Sequence, residues 1–138
     1  MDEDDSMTTV YTTGTFDLFH IGHLRLLQRA KALAGEGGRL IVGVSTDRFN
    51  EVEKGKRATI PFAERAEIVA ALKCVDEVIP ENNWDKRSNL LKYAVDIYVI
   101  GNDWEGKFDE LKDVCRVVYL PRTDGISSTE LKDKIHEM

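Results

Sequence analysis

The sequence predicts an α/β protein with a doubly wound, parallel, five-stranded sheet and helices on both faces. Three observations carry that prediction. Short runs rich in Val, Ile, Leu and Tyr alternate along the whole chain with segments whose apolar residues recur at helical spacing. Several of these runs are continuously apolar, as strands buried on both faces of a parallel sheet require. Gly and Pro stand at many of the joints between them. A length of 138 residues suits one domain, and no internal repeat breaks the pattern.

Taken in order, Val10-Tyr11-Thr12-Thr13 gives a first strand. Leu24, Leu27, Ala30, Lys31 and Leu33 then lie on one helix, which Gly35, Gly37 and Gly38 stop. Leu40-Ile41-Val42-Gly43-Val44 is the second strand. Pro61 occupies the first turn of a helix filled by Ala66, Ile68, Val69, Ala71 and Leu72. Val75 to Ile79 reads as the third strand, closed by Pro80. Leu90, Leu91, Tyr93 and Ala94 read as a helix, Ile97 to Ile100 as the fourth strand, and Val114 to Leu120 as the fifth, ended by Pro121. Ser127 and Glu130 have capping-box spacing ahead of Leu131 and Ile135, which marks a C-terminal helix. Successive strand–helix–strand units close with right-handed crossovers into a Rossmann-like sheet. Ligands of such a sheet bind beyond the carboxyl ends of the strands, near the switch point. The loops after the first, fourth and fifth strands are therefore the candidate site. Trp84 and Trp104 are expected to pack rather than to stack on a ligand, and Cys74 and Cys115 to be buried free thiols.

Composition narrows the function. Hydrophobic residues at 42% and charged residues at 32% are globular values, which exclude wholesale disorder. Nineteen basic against twenty-five acidic residues give a net charge of −6, unlike a nucleic-acid binder. Residues 1–8, with Asp2, Glu3, Asp4 and Asp5, are expected to form an acidic flexible tail, and 9–138 a single domain. Without those four acids the body is near neutral, so an anion site must come from locally concentrated cations. No apolar run approaches the ~20 residues that cross a bilayer, and the N-terminus lacks the order of a signal peptide. A cytoplasmic protein without membrane partners is the expectation.

After the first strand comes Gly14-Thr15-Phe16-Asp17-Leu18-Phe19-His20-Ile21-Gly22-His23, running into a helix. A dinucleotide fingerprint needs three glycines, and only Gly14 and Gly22 are present. His20 and His23, three apart at a helix start, project to one side, where backbone N–H groups and the helix dipole attract anions. Two imidazoles there can donate to phosphate oxygens, with Gly22 allowing close approach. A zinc site would want three or four ligands, and no Cys or third His is near in sequence. Two unrelated structural histidines are the other alternative. Lys54-Gly55-Lys56-Arg57 concentrates three cations, either as a solvated surface run or as a phosphate contact. Arg65 at a helix start opposes the macrodipole unless an anion compensates it. Asp103, just past the fourth strand, can accept from ligand hydroxyls or merely cap a turn. Arg122-Thr123-Asp124-Gly125-Ile126-Ser127-Ser128-Thr129 leads into a second helix N-terminus.

Gly14-Thr15-Phe16-Asp17 followed by His20-x-Gly22-His23 resembles the signature of the nucleotidyltransferase superfamily. Further stretches resemble its glycerol-3-phosphate cytidylyltransferase branch: Val44-Ser45-Thr46-Asp47-x-Phe49-Asn50, Val75 to Trp84, Gly101-x-Asp103-Trp104-Glu105-Gly106-Lys107-Phe108-Asp109, and Tyr119 to Ser127. The resemblance runs from about Val10 to the final helix. Departures are Asn102 in place of an Asp, Ser128 in place of a Thr, and a linker before Lys54 one residue longer. The resemblance implies transfer of CMP from CTP to sn-glycerol 3-phosphate, giving pyrophosphate and CDP-glycerol, a precursor of teichoic acid or related polyol phosphates. It implies catalytic roles for His20, His23, Lys54 and Arg122. Nucleotide contacts fall to Thr15, Phe16, Gly22, Asp103, Thr123, Gly125, Ile126, Ser127 and Ser128, and acceptor contacts to Lys56, Arg65 and Asp17. Mg²⁺ is implied with the triphosphate, without a metal site on the protein, and so is a homodimer. Another alcohol phosphate such as phosphoethanolamine, another nucleotide, or a catalytically idle nucleotide-binding module are the alternatives.

Overall fold

A computed structural model describes residues 7–121. Strands β1 (Thr9–Gly14), β2 (Arg39–Ser45), β3 (Glu77–Glu81), β4 (Ile97–Gly101) and β5 (Arg116–Leu120) alternate with helices α1 (Ile21–Ala34), α2 (Phe62–Ala70) and α3 (Lys86–Lys92). The strands form one sheet in the order β3-β2-β1-β4-β5, and every pairing is parallel. The chain winds outward from β1 to β3, returns to the centre, and winds outward again through β4 and β5. The switch therefore lies between β1 and β4, where Val10 pairs with Ile97 and Thr12 with Val99.

Each face of the sheet has its own core, because successive side chains of a strand point to opposite faces. Val10, Leu40, Val42, Val44 and Val99 pack with Leu27, Ala30 and Ala34 of α1 and Val69 of α2. Tyr11, Ile41, Tyr98 and Ile100 pack on the other side with Leu90 of α3 and Leu111. Gly43 is required in the middle of β2: a Cβ there would lie 2.5 Å from the Tyr11 hydroxyl oxygen.

Three expectations change. The third strand runs from Glu77 to Glu81, so Pro80 lies inside it and pairs with Val44 instead of closing it. Two features account for the shift. Asp76 is held ahead of the strand, its carboxylate accepting from Leu40 N–H at 2.7 Å, and β3 is an edge strand, where a missing N–H is tolerated. Cys74 and Cys115 are free thiols but only half-buried. Trp84 and Trp104 are 43% and 41% exposed, so neither is a core residue. The expected C-terminal helix at Ser127 to Ile135 and the tail residues 1–6 lie outside the described residues.

Candidate active site

The turn between β1 and α1 is bent by two non-glycine residues with positive φ, Phe16 at 55° and Leu18 at 49°. The Phe16 ring folds back over Gly14, where any Cβ would stand 3.0 Å from it. That fold-back buries Phe16 against Phe19 and His23, at ring separations of 6.4 and 5.4 Å. Between the two strained residues, Asp17 is turned inward. Its carboxylate accepts from Thr59 N–H at 2.8 Å and Ile60 N–H at 2.9 Å, tying this turn to the segment before α2.

His20 caps α1. Its Nδ1 accepts from Gly22 N–H at 3.0 Å, while His23 Nδ1 accepts from His20 N–H at 3.1 Å. The pair thus does what Ser and Glu do in a capping box. The rings stack with centroids 3.8 Å apart. An imidazole that accepts at Nδ1 carries its proton on Nε2, so both rings are set in the tautomer that donates from Nε2. Burial, reinforced by the neighbouring His20, pushes the His23 pKa down to about 3. His23 is therefore a neutral hydrogen-bond donor throughout the physiological range, and not a cation.

Beyond β2 the chain makes a π-helical turn, Phe49–Glu53, a geometry that recurs at functional sites. Lys54 follows it, with its ammonium 4.9 Å from the Phe49 ring centre and 5.8 Å from that of Trp84. Desolvation against those rings, with Arg65 and Lys56 nearby, lowers its pKa to about 8. Lys86 approaches the same two rings at 5.7 and 5.6 Å and forms a buried ion pair with Glu81. Lys56 is exposed, and its N–H donates to Asn50 O at 2.9 Å.

Arg65 sits in the first turn of α2 and is 1% exposed. Its Nε donates to Ile60 O, one terminal nitrogen to Thr15 O and Ser45 O, and the other to Asp47, all between 2.7 and 2.8 Å. The cation at a helix start is thus neutralised from within, by three carbonyls and a carboxylate. A hydrogen bond from Phe62 N–H and the Arg65 guanidinium together hold the Asp47 pKa below its usual value. Ser45 donates to Asn50 Oδ1 at 2.9 Å and lies 3.0 Å from Thr15 Oγ1, which is itself 3.3 Å from Asn50 Oδ1.

Past β4, Gly101 leads into a short 3₁₀ turn, Asn102–Trp104, which places Asp103 on the surface. Trp104 stands 6.3 Å from Trp84, and the exposed aromatic pair borders the same end of the sheet. Thr15, Phe16, Asp17, His20, Gly22 and His23 come from one turn, Lys54 and Lys56 from the next loop, and Asp103 from the third. Arg122, Thr123, Gly125, Ile126, Ser127 and Ser128 lie outside the described residues. Sequence reasoning missed Asn50, Lys86 and Glu81 as members of this neighbourhood. The available signal was position: Ser45 and Glu81 end strands whose carboxyl ends face the site.

Residues 11–134 match the family described as cytidylyltransferase-like. The chain belongs to the cytidylyltransferase-like family. The matched stretch takes in the β1–α1 turn, the loop that carries Lys54 and the turn after β4, together with the segment beyond Pro121. The chain is 52% identical over 130 residues to the glycerol-3-phosphate cytidylyltransferase of Bacillus subtilis, covering 94% of this chain and 98% of that protein. It is 45% identical to the Staphylococcus aureus protein of the same name, covering 94% and 96%. Among solved structures, a lipopolysaccharide core biosynthesis protein from Thermoplasma volcanium superposes with a TM-score of 0.73 at 26% identity, covering 86% of this chain and 99% of that one. Like its cytidylyltransferase-like relatives, the chain is a nucleotidyltransferase.

Proposed function

We propose that this nucleotidyltransferase joins CTP and sn-glycerol 3-phosphate into CDP-glycerol and pyrophosphate. One observation carries the reading: two stacked imidazoles at the start of α1, each held through Nδ1 so that Nε2 is the donor. Nucleotidyl transfer needs donors fixed where charge grows on the phosphoryl oxygens, in a place already favourable to anions. A phosphate oxygen of the acceptor attacks the α-phosphorus of CTP. The bond from that phosphorus to the oxygen bridging toward the β-phosphate breaks, and pyrophosphate leaves with the electron pair. The acceptor phosphate is already ionised at neutral pH, so no side chain has to take a proton from it.

His20, His23 and the helix start hold the α- and β-phosphates, with Thr15, Phe16 and Gly22 lining the same turn. Lys54 adds a cation on the α-phosphate, and Lys56 holds the acceptor phosphate. Asp103, Arg122, Thr123, Gly125, Ile126, Ser127 and Ser128 complete the nucleotide side. Arg65 and Asp17 serve the acceptor side by fixing the loops around it, given the internal partners their side chains have. Mg²⁺ enters as the complex of the triphosphate. The donor set fits that arrangement, because imidazole N–H and ammonium groups hold phosphate oxygens and repel a bare cation. A homodimer working in the cytoplasm, where CTP is made, is part of the same reading. No helix among the described residues is long and apolar enough to cross a membrane.

The test is a pyrophosphate-release assay in which CTP and ATP are each paired with glycerol 3-phosphate, phosphoethanolamine and phosphocholine. Turnover with CTP and glycerol 3-phosphate at least tenfold above every other pair is the expected result. Preference for another pair moves the assignment to that pair, and no turnover with any of them points to a non-catalytic nucleotide-binding module.

A further inference from the structure

The β1–α1 turn and the basic loop meet at one side chain that no role above requires. Asn50 is 2% exposed and lies inside the π-helical turn. Its Oδ1 is the shared hydrogen-bond acceptor for Ser45 at 2.9 Å and Thr15 at 3.3 Å. Its amide nitrogen has no hydrogen-bond partner among the described residues. With respect to the described residues, that unmet donor adds a cost to folding and not a gain. A leucine of nearly the same volume would remove that cost. What leucine cannot supply is the oxygen on which the Thr15 hydroxyl is oriented. The Asn50 backbone does something different: its carbonyl accepts from Lys56 N–H at 2.9 Å, a bond that any residue at this position would make.

We infer that Asn50 is a positioning residue for the nucleotide: its side-chain oxygen, with Ser45, fixes Thr15 in the phosphate-binding turn, while its backbone holds the acceptor-side lysine loop. The two halves of the site are thereby served by two separable parts of one residue. The side chain governs CTP, and the main chain governs the acceptor. This rests on the proposed function only in assigning Thr15 to the nucleotide side and Lys56 to the acceptor side.

The experiment replaces the amide and reads both substrates. In Asn50→Leu the CTP dissociation constant, measured by calorimetry, should rise about tenfold with the KM for glycerol 3-phosphate within twofold of wild type. Thr15→Val should weaken CTP at least as much, and the double variant should be no weaker than Thr15→Val alone, because the Asn50 oxygen acts through Thr15. Equal losses for both substrates in Asn50→Leu mean that the π-helical turn has loosened as a whole, and they overturn the inference. So do multiplicative losses in the double variant. Should Asn50→Leu fail to fold, Asn50→Ser is read by the same two constants with the same outcomes deciding. Failure of the proposed function is seen separately, as a wild-type protein that makes no CDP-glycerol.

Discussion

The two loops to which phosphate binding is assigned by proposal, the Thr15–His23 turn and the Lys54–Arg57 run, are made in opposite ways. The turn from Thr15 to His23 is over-determined: two residues with positive φ, a ring folded onto Gly14, and histidines whose Nδ1 atoms are both bonded to backbone. It offers neutral dipoles in fixed positions. The Lys54–Arg57 run is exposed apart from Lys54, contains Gly55 at φ 67°, and is anchored by main-chain bonds to the π-helical turn. It offers charge on long, adaptable side chains. Fixed donors cost no reorganisation when charge develops, so they act on the rate. Mobile cations capture and retain anions, so they act on binding and respond to salt.

The strongest way to break this contrast is at the histidines. His20→Ala or His23→Ala should lower kcat by roughly 10²- to 10³-fold in single-turnover assays, with the melting temperature little changed beyond the loss of a cap. Wild-type turnover in both variants would remove the phosphate assignment. Next comes the tie between the loops. Arg65→Met leaves the Thr15, Ser45 and Ile60 carbonyls without their donor and should destabilise the fold by about 3 kcal/mol, seen in urea titration. A variant of wild-type stability with only a raised acceptor KM would instead make Arg65 a direct phosphate ligand.

Lys54 sharpens the contrast through pH. Its ammonium is charged below about 8, so kcat/KM should fall as pH rises through that value, whereas bound phosphate keeps it protonated longer and moves the limb in kcat upward. His23, with its pKa near 3, contributes no limb between pH 5 and 8. Lys54→Arg should carry the alkaline limb above pH 10 in both parameters, since guanidinium does not titrate there. An unchanged limb assigns it to another group. The smallest effect belongs to Lys56. Lys56→Ala should raise the acceptor KM about tenfold at 50 mM salt and less at 500 mM, with kcat preserved.

Much of the sheet was legible because strands buried on both faces must be apolar runs, and all five runs became strands. Their order was not legible. Nothing local in Val10–Thr13 says that it pairs with both Arg39–Ser45 and Ile97–Gly101. For the histidine pair, spacing, the helix start and Gly22 favour phosphate donors over zinc ligands, yet the tautomers depend on where two backbone N–H groups fall. Arg65 shows the limit most clearly. Helix-dipole reasoning demands a negative partner and looks for a ligand, whereas the partners are carbonyls 50, 20 and 5 residues away in sequence, plus Asp47. Trp84 and Trp104 differ from the expectation for a related reason: large aromatics usually fill cores, and here they pack on each other and on Phe49 and Phe108, from separate loops, while staying partly exposed.

Pro80 has a consequence for how the molecule behaves when concentrated. β3 is the outermost strand on its side of the sheet among the described residues, and an outer strand with a full row of amide hydrogens invites another chain to extend the sheet. Pro80 removes one of those hydrogens near the end of a five-residue strand, and Glu77, exposed at its start, adds a charge. The short, interrupted margin resists edge-to-edge growth into fibres. Association between copies is thereby steered toward side-chain surfaces and away from shared backbone ladders, so the open edge of a parallel sheet is compatible with a protein that stays dispersed.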